Sequence, residues 1–406
     1  MIKIPLQFIH PADPFGLKVG GTETFMKGFI KYAPNHFDIE VIGITSNRKE
    51  RIPRKWTRLK LGDKEFNFFP IFYERNENEK TLIPLSLRFT MALKLVNLKS
   101  EGKVLFFNRI EPLFLYRRQR APKIVVTHTD IQQQIRHRGS ENTWSKFPHL
   151  YFKLEKKLFS FVDQIHTVNK STLDFYIKTY PEHKERISYL PNWVDSDTFY
   201  PTDLPKHKLR QKLYHTKNLP IGSKWILFVG RLQKAKSPFR LVNAFLKYNK
   251  KYRSSILIII GEGNLRKSLE NYVKKIKAER VIFFLKNMRQ EALADFYRAS
   301  DVLLLTSNFE GMPMCVLEAL GCGIPVVSTD VGDIKSVVGN NFSGEIIDSF
   351  DHTEIAQGLE KVLSNAHAYK KENCIECIRG FSPKEILLSV YKKIEQIYIS
   401  KKYRDI

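Results

Sequence analysis

Residues 302–328 have the sequence VLLLTSNFEGMPMCVLEALGCGIPVVS, and this stretch decides the fold. It begins with the apolar run Val302–Leu305, continues through a polar loop and a short helical segment, and returns to an apolar run at Pro325–Ser328. Apolar runs without polar alternation indicate strands that are covered on both faces, as in parallel sheets. The stretch therefore predicts a strand–loop–helix–strand unit of a parallel α/β sheet.

The same alternation of apolar runs and helix-like segments extends along most of the chain. It predicts a doubly wound α/β protein with two Rossmann-like parallel-sheet domains that face a cleft. The strands predicted on either side of the stretch are Ile4–Ile9, Ile39–Ile44, Val104–Phe107, Ile124–Thr127, Gln164–Val168, Ile187–Leu190, Trp225–Val229, Ser255–Ile260, Val281–Leu285 and Gly344–Ile347.

The alternation pauses once, in a polar stretch that contains several prolines. We therefore predict a linker over residues 196–222. The first domain takes residues 1–195, and the second takes residues 223–382. Ser382-Pro383 is a favourable helix start, so residues 383–406 are predicted to form a C-terminal helix that completes the first domain.

Composition indicates a folded chain without a membrane span. The chain has 406 residues, of which 43% are hydrophobic and 27% are charged, as in ordinary globular proteins. The start lacks the pattern of a signal peptide. The longest apolar run, Ile256–Ile260, is far shorter than the ~20 residues that a bilayer requires. We expect a cytoplasmic protein whose peripheral contact with the inner face of the membrane is left open.

The net charge of +25 bears on partners rather than on fold. Contact with anionic lipid, contact with nucleic acid and a general preference for lysine are three competing interpretations. Basic and aromatic residues alternate over Arg51–Arg75 and over Phe114–Arg120. This pattern suits a membrane interface, and a solvated basic face over buried aromatic side chains explains it as well.

Two glycine-containing loops follow predicted strands. Gly20-Gly21 precedes a helix, and paired glycines allow a backbone to approach a phosphate closely. Gly230 follows a strand of the second domain, and Arg231 and Lys236 lie in the same loop. Two cations beside a helix N-terminus predict a diphosphate site, although exposed surface cations are common in so basic a chain.

The stretch quoted first carries a pair of carboxylates. Glu310 precedes the predicted helix, and Glu318 lies in its second turn. Carboxylates accept hydrogen bonds from sugar hydroxyls, and backbone amides at a helix start are free to donate. The candidate donors are the amides of Gly311, Met312 and Met314, in a turn that also contains Pro313.

The combination resembles a known family. The segments Phe309–Val327, Phe228–Lys236 and Leu190–Asp195 look like signatures of the retaining GT-B glycosyltransferases, the "glycosyl transferases group 1" that include sucrose synthases and bacterial mannosyltransferases. The resemblance covers nearly the whole chain. It implies the GT-B fold and a nucleotide-diphosphate-sugar donor, UDP- or GDP-linked, without a cofactor or metal.

The resemblance also implies residue roles. Arg231 and Lys236 would neutralise the donor diphosphate, Glu318 would bind the ribose, and Glu310 would contact the transferred sugar. Gly20 and Gly21 would close on the diphosphate. His128, which ends a first-domain strand, would contact the sugar from the other side, and a non-catalytic histidine is the alternative. The loop amides already named would bind the donor, and Asn287 and Met288 would lie near the base.

The expected function is transfer of a hexose to a glycan or lipid-linked acceptor in the synthesis of cell-surface polysaccharide. Another GT-B enzyme, such as a sugar-nucleotide epimerase, is the nearest alternative. A non-enzymatic basic protein that binds membrane or nucleic acid is the alternative from another class, and the carboxylate pair favours the enzyme over it. Nucleic acid is therefore not an expected partner.

Overall fold

The computed structural model describes residues 2–16, 21–75, 81–128, 148–338 and 342–402. The chain divides into two compact units, of which the first comprises Met1–Pro191 and Pro383–Ile406 and the second Asn192–Ser382. The sequence-based boundary after residue 195 lies a few residues later than the boundary between the units.

The first unit contains eight strands. They are β1 (Ile4–Ile9), β2 (Phe37–Thr45), β3 (Thr57–Leu61), β4 (Lys64–Tyr73), β5 (Val104–Phe107), β6 (Lys123–Thr127), β7 (Gln164–Thr167) and β8 (Ile187–Tyr189). Its described helices are α1 (Gly21–Lys31), α2 (Leu85–Leu93), α3 (Leu113–Tyr116), α4 (Pro148–Phe159), α5 (Lys170–Thr179) and, at the end of the chain, α13 (Pro383–Lys402).

The second unit contains six strands. They are β9 (Lys224–Val229), β10 (Ser255–Ile260), β11 (Ile282–Leu285), β12 (Val302–Leu305), β13 (Val326–Thr329) and β14 (Gly344–Ile347). Its described α-helices are α6 (Lys206–Lys217), α7 (Pro238–Lys251), α8 (Arg266–Lys275), α9 (Gln290–Ala299), α10 (Met314–Gly321), α11 (His352–Ser364) and α12 (Lys371–Cys377).

Both sheets have the predicted doubly wound character. The first runs β3-β4-β2-β1-β5-β6-β7-β8 and is parallel except where β3 pairs antiparallel with β4. The second runs β11-β10-β9-β12-β13-β14 and is parallel throughout. Its strand order reverses between β9 and β12, and loops at the carboxyl ends of two such strands form the usual ligand crevice of this fold.

The predicted linker is wrong in one respect, because residues 206–217 form helix α6 and belong to the second unit. Leu209 and Leu213, one turn apart, are buried in that unit's core. The guanidinium of Arg210 donates to the carbonyl of Ala299 at 2.9 Å and to the carboxylate of Asp301 at 2.6 Å. Because prolines flank this helix, its short apolar stripe was not recognised in the sequence.

The basic and aromatic stretch 51–75 folds as a hairpin of β3 and β4. Phe66, Phe68 and Phe69 are buried, and β4 pairs with β2. Trp56 and Tyr73 are partly exposed. The pattern therefore comes chiefly from aromatic side chains in the core beneath a basic surface, which was the second of the two interpretations.

Helix α13 packs onto the first unit through an aromatic cluster. The hydroxyl of Tyr391 donates to the carbonyl of Phe29 at 2.6 Å, and the two rings lie 4.7 Å apart. Phe29 in turn lies 4.4 Å from Phe106 of β5. Residues 403–406, which the sequence assigns to the same helix, lie outside the described ranges. Within those ranges, the structure contains no helix that is both long enough and apolar enough to cross a membrane.

Glu155 of α4 is buried among three tyrosines of the first unit. The hydroxyls of Tyr151, Tyr176 and Tyr180 donate to its carboxylate at 2.9, 2.7 and 2.9 Å. Burial raises the pKa of Glu155 to about 7, and the three hydrogen bonds oppose that rise. The carboxyl is therefore protonated in mildly acidic solution.

Stability of the first unit should depend on pH through Glu155. Its folded pKa lies above the unfolded value, so its contribution is complete below about pH 4 and is lost as pH rises through about 7. The free energy of unfolding should fall by about 3 kcal/mol over that range. Urea titrations at several pH values test this expectation. Glu155→Gln should flatten the dependence, and an unchanged slope in that variant would contradict the assignment.

Candidate functional site

Two loops meet at the point where the strand order of the second sheet reverses. One loop follows β9 and spans residues 230–237, and the other follows β12 and spans residues 306–313. β9 and β12 are neighbours in register, with Ile226 beside Val302 and Leu227 beside Leu303. The two loops therefore leave the same edge of the sheet side by side.

The loop after β9 is shaped by a second glycine loop. A Cβ atom on Gly261 would lie 1.9 Å from the carbonyl oxygen of Gly230, so only glycine fits there. The amide of Leu232 donates to the carbonyl of Glu262 at 3.0 Å. These contacts position the backbone on either side of Arg231, whose side chain is exposed.

Asn308 joins the loop after β12 to the loop after β9. Its backbone amide donates to the carbonyl of Ala235 at 2.7 Å, and its side-chain amide donates to the carbonyl of Lys234 at 3.1 Å. Arg240 of α7 donates to the Asn308 side-chain oxygen at 2.8 Å and to the carbonyl of Thr306 at 3.0 Å. The relative position of the two loops is thus fixed within one unit.

Lys236 and Glu310 form an ion pair across these loops. The ammonium of Lys236 donates to Oε1 of Glu310, and the hydroxyl of Ser307 donates to the same oxygen at 2.6 Å. Both charged side chains are mostly buried, with 19% and 13% of their surface exposed. A carboxylate that already holds a cation at a helix start forms a polar site of mixed charge, suited to a ligand with both hydroxyls and anionic groups.

The turn after Glu310 is supported from below. Gly332 has φ = +56°, and a Cβ atom there would lie 1.9 Å from the carbonyl oxygen of Gly311. The amide of Asp333 donates to that carbonyl at 3.0 Å, and the side-chain amide of Asn192 donates to the carbonyl of Met312 at 2.8 Å. These contacts hold the carbonyls of the turn and leave α10, which begins at Met314 after Pro313, to present its first amides.

Glu318 lies in the second turn of α10 and is almost fully buried. The hydroxyl of Tyr297 donates to its Oε2 at 2.8 Å. Burial raises the pKa of Glu318 to about 7, the Tyr297 hydrogen bond lowers it, and the charge of Asp195 raises it. The carboxyl therefore changes charge near neutral pH.

Asn287 and Met288 lie in the short connection between β11 and α9. They follow the carboxyl end of β11, which is two strands away from β9 in the sheet. Met288 is partly buried against the core of the second unit. The structure thus places these two residues on the same sheet edge as the ion pair.

The remaining predicted residues belong to the first unit. Gly21 is the first residue of α1, and Gly20 lies outside the described residues. His128 directly follows β6, and its Nε2 lies 2.5 Å from Oδ1 of Asn108. The side-chain nitrogen of Asn108 donates to the carbonyl of Thr22 at 3.1 Å. Asn108 Oδ1 must therefore accept, which places the proton of His128 on Nε2.

Desolvation, together with the charge of Arg109, lowers the pKa of His128 to about 3. The ring meets Phe25 edge-on at 4.9 Å between centroids. His128 is therefore a neutral imidazole of fixed tautomer, which offers a hydrogen bond rather than a charge.

Sequence reasoning missed the residues that hold the site together. Ser307 and Asn308 follow β12 directly, so their position after a strand was an available signal. Asn192 lies in the segment Leu190–Asp195 noted in the sequence, and its side chain donates to the carbonyl of Met312. Tyr297 and Asn108 carried no signal, because their partners are distant in sequence. In the described part of the chain, no three His, Cys, Asp or Glu side chains are grouped as metal ligands.

The fold, taken with the family models that match the chain, defines a class, the GT-B glycosyltransferases. The family model "Glycosyl transferases group 1" matches residues 210–379, and the model "Glycosyltransferase Family 4" matches residues 19–198. The chain belongs to this glycosyltransferase family, with one model on each half. The resemblance noted in the sequence is thereby confirmed.

Known proteins agree with this assignment. The chain is 31% identical over 194 residues to a D-inositol 3-phosphate glycosyltransferase of Corynebacterium urealyticum, covering 46% of this chain and 45% of the relative. It is 29% identical over 223 residues to the UDP-Gal:alpha-D-GlcNAc-diphosphoundecaprenol alpha-1,3-galactosyltransferase of Escherichia coli, covering 53% and 54%. The matched regions span about half the length of these curated relatives.

The fold is also that of a solved structure. The sucrose-phosphate synthase of Thermosynechococcus elongatus superposes with a TM-score of 0.78 over 98% of this chain and 100% of that chain, at 17% identity. At this identity the likeness establishes the fold, and the GT-B prediction is confirmed on that ground.

Replacing the glycine beneath the turn should damage the site. Gly332→Ala places a Cβ against the Gly311 carbonyl in a left-handed conformation, so the free energy of unfolding of the second unit should fall by about 2 kcal/mol. Gly380→Ala is the matched control, because a Cβ there meets no atom within 4 Å. Thermal unfolding of both variants tests the expectation. Equal stability of the two variants would show that the close approach of Gly332 to the Gly311 carbonyl does not affect the free energy of unfolding.

Proposed function

We propose that this chain is a retaining glycosyltransferase that moves a hexose from a UDP- or GDP-linked sugar to a glycan or lipid-linked acceptor. The observation that carries the proposal is the Lys236–Glu310 ion pair at the reversal of the strand order, with Arg231 in the same loop. A sugar nucleotide has hydroxyls and a diphosphate, which match a carboxylate and two cations.

The charges that develop during transfer assign the cations their role. Breaking the bond between the anomeric carbon and the phosphate oxygen leaves negative charge on the departing diphosphate. Arg231 and Lys236 stabilise that charge, and this needs no metal in the proposed mechanism. The acceptor hydroxyl attacks from the face that the phosphate leaves, and its proton passes to the departing phosphate oxygen. The anomeric configuration is then retained.

Glu310 orients the sugar in this proposal. Its carboxylate accepts hydrogen bonds from sugar hydroxyls while the Ser307 hydroxyl keeps it in place. When the diphosphate arrives, Lys236 gains a second anion, and the Lys236–Glu310 pair becomes a bridge between sugar and phosphate. The amides of Gly311, Met312 and Met314 donate to the same ligand.

Glu318 binds the ribose, and the connection containing Asn287 and Met288 lies near the base. The hydroxyl of Tyr297 donates to one oxygen of the Glu318 carboxylate, which lies in the second turn of α10, and the other oxygen is left for the ribose. In the first unit, Gly20, Gly21 and His128 keep the roles that the family resemblance implies, His128 as a neutral ring.

The acceptor is proposed from the relatives. The Escherichia coli relative is named for a diphosphoundecaprenol-linked substrate, which supports a lipid-linked acceptor and a role in cell-surface polysaccharide synthesis. A cytoplasmic location at the inner face of an anionic membrane follows from such an acceptor. No cofactor beyond the donor is proposed.

A screen of nucleotides and nucleotide sugars by thermal shift tests the proposal. We expect stabilisation by one nucleoside diphosphate and its sugar, because a ligand that binds only the folded state raises the melting temperature. The stabilising sugar nucleotide, radiolabelled, should then transfer its hexose to membrane lipid extracts with retained configuration. Release of an epimerised sugar nucleotide instead would favour an epimerase, and stabilisation by none of the panel would reject donor binding.

Loss of either cation should slow transfer strongly. Arg231→Ala and Lys236→Ala should each lower kcat/KM. The expected loss of transition-state stabilisation is ~2–4 kcal/mol, by analogy with removal of one oxyanion donor. Lys234→Ala is the matched control, because this exposed lysine lies in the same turn and joins the β12 loop only through its backbone carbonyl. Steady-state rates on the folded proteins measure the effect. Near-normal turnover in Arg231→Ala and Lys236→Ala would refute their assignment.

Donor affinity should increase with pH through Glu318. Its pKa of about 7 makes the carboxyl mostly protonated at pH 6 and ionised at pH 8. An ionised carboxylate accepts ribose hydrogen bonds more strongly, so affinity for the sugar nucleotide should rise about tenfold over this range. Calorimetric titrations at each pH measure it.

Two variants make this test specific. Glu318→Gln should abolish the pH dependence, and Tyr297→Phe should move its midpoint upward because the Tyr297 hydroxyl lowers the pKa of Glu318. A pH profile that neither variant alters would assign the titration to another group.

A further inference from the structure

Helix α2 of the first unit carries an exposed aliphatic stripe. Its buried face consists of Ser86, Phe89, Thr90 and Leu93. On the opposite side Leu87 is 46% and Met91 is 57% exposed, one helical turn apart, and Leu95 follows at 74%. Helices of globular proteins normally direct such residues into the core, so this stripe needs a separate explanation.

The stripe continues before the helix begins. Leu82 is fully exposed and Ile83 is 40% exposed, and they precede the N-cap residue Pro84. We call these five side chains the α2 apolar patch: Leu82, Ile83, Leu87, Met91 and Leu95. Contiguous exposed aliphatic surface of this kind usually marks a site of interaction.

Positive charge predominates among the described, exposed residues around the α2 apolar patch. Residues 81–100 contain no aspartate or glutamate, and Lys94 and Lys99 are exposed within them. The hydroxyl of Ser100 donates to the side chain of Gln119, and this bond brings the exposed Arg118 and Arg120 next to the segment. The exposed acid Glu101 follows immediately, and the other cation, Arg88, is paired with Glu74 at 2.7 Å.

We infer that the α2 apolar patch and its flanking cations dock the first unit on an anionic lipid surface. Aliphatic side chains enter the acyl boundary of a bilayer while lysine and arginine meet anionic headgroups. The inference deepens the proposed function, on which it rests for its meaning, because a lipid-linked acceptor lies in such a surface.

Charge and chemistry favour lipid over other occupants. In a symmetric dimer the patch would face itself and set its cations against cations of the same kind. Single-stranded nucleic acid is usually bound by aromatic side chains on which bases stack, whereas the patch is aliphatic, and the guanidinium of Arg117 lies 4.1 Å from the ring of the nearby Phe114. Of the basic and aromatic stretch Phe114–Arg120 singled out in the sequence, the inference uses the exposed cations Arg118 and Arg120.

Co-sedimentation of the full chain with vesicles tests the inference. The wild type should pellet with vesicles of phosphatidylglycerol and phosphatidylcholine and much less with phosphatidylcholine alone. Leu87→Ser with Met91→Ser should weaken partitioning at least about tenfold, because each substitution removes the favourable free energy of transferring an apolar side chain from water into the bilayer. Lys94→Ala with Lys99→Ala should reduce the preference for phosphatidylglycerol and its dependence on salt.

The matched control changes two exposed apolar residues on α13 of the same unit. Leu388 is 46% and Ile399 is 39% exposed, so Leu388→Ser with Ile399→Ser should leave partitioning unchanged. Equal losses in the two double variants, or wild-type partitioning of Leu87→Ser with Met91→Ser, would overturn the inference. So would light scattering that shows a wild-type dimer dispersed by that variant without vesicle binding.

Donor binding separates this inference from the proposed function. Calorimetric affinity for the sugar nucleotide, measured without vesicles, should be the same in the wild type and in Leu87→Ser with Met91→Ser. Vesicle binding without donor binding would retain the docking surface and reject the enzyme, and the reverse result would retain the enzyme and reject the surface.

Discussion

Asn308 fastens the two loops on which the candidate site depends. Parallel pairing of β9 and β12 brings the loops to one edge of the sheet, and the two hydrogen bonds from Asn308 to the loop after β9 keep them in register there. With that spacing the ammonium of Lys236 reaches the carboxylate of Glu310. Gly261 and Gly332 support the same arrangement, because each allows a backbone carbonyl to approach so closely that a side chain would clash with it.

The site therefore places opposite charges in contact before any ligand is present. Buried ion pairs contribute little to stability once desolvation is counted, so we propose that the role of the Lys236–Glu310 pair is to bind a ligand. An anionic diphosphate and a hydroxyl-rich sugar each match one partner of the pair. Glu318, protonated or ionised near neutral pH, adds a third polar group on the same helix that Glu310 precedes. In the first unit, His128 stays neutral and can form a hydrogen bond without carrying a charge.

Much of the fold follows from local pattern, and the exceptions have physical causes. β10 and β12 have the predicted bounds because uninterrupted aliphatic runs favour only buried strands. β4 was missed because the basic and aromatic stretch that contains it suits either a membrane interface or a core, and only its pairing with β2 decides between them. The site residues were placed by their position after strands, whereas the pairing of Lys236 with Glu310 joins residues 74 apart and needs the tertiary structure. The α2 apolar patch was invisible for the same reason, since its residues differ from core residues only in what covers them.

Hydrogen exchange measured by mass spectrometry, with and without a saturating sugar nucleotide, tests the central claim most directly. Amides bound to a ligand, or held by loops that the ligand orders, exchange more slowly. The account predicts protection in residues 230–237 and 309–321 of the second unit, with the amino half of α10 most affected, and little change in β14 at the far edge of the sheet. Protection confined to other segments, or none with any UDP- or GDP-linked sugar, would contradict a donor site at the reversal of the strand order.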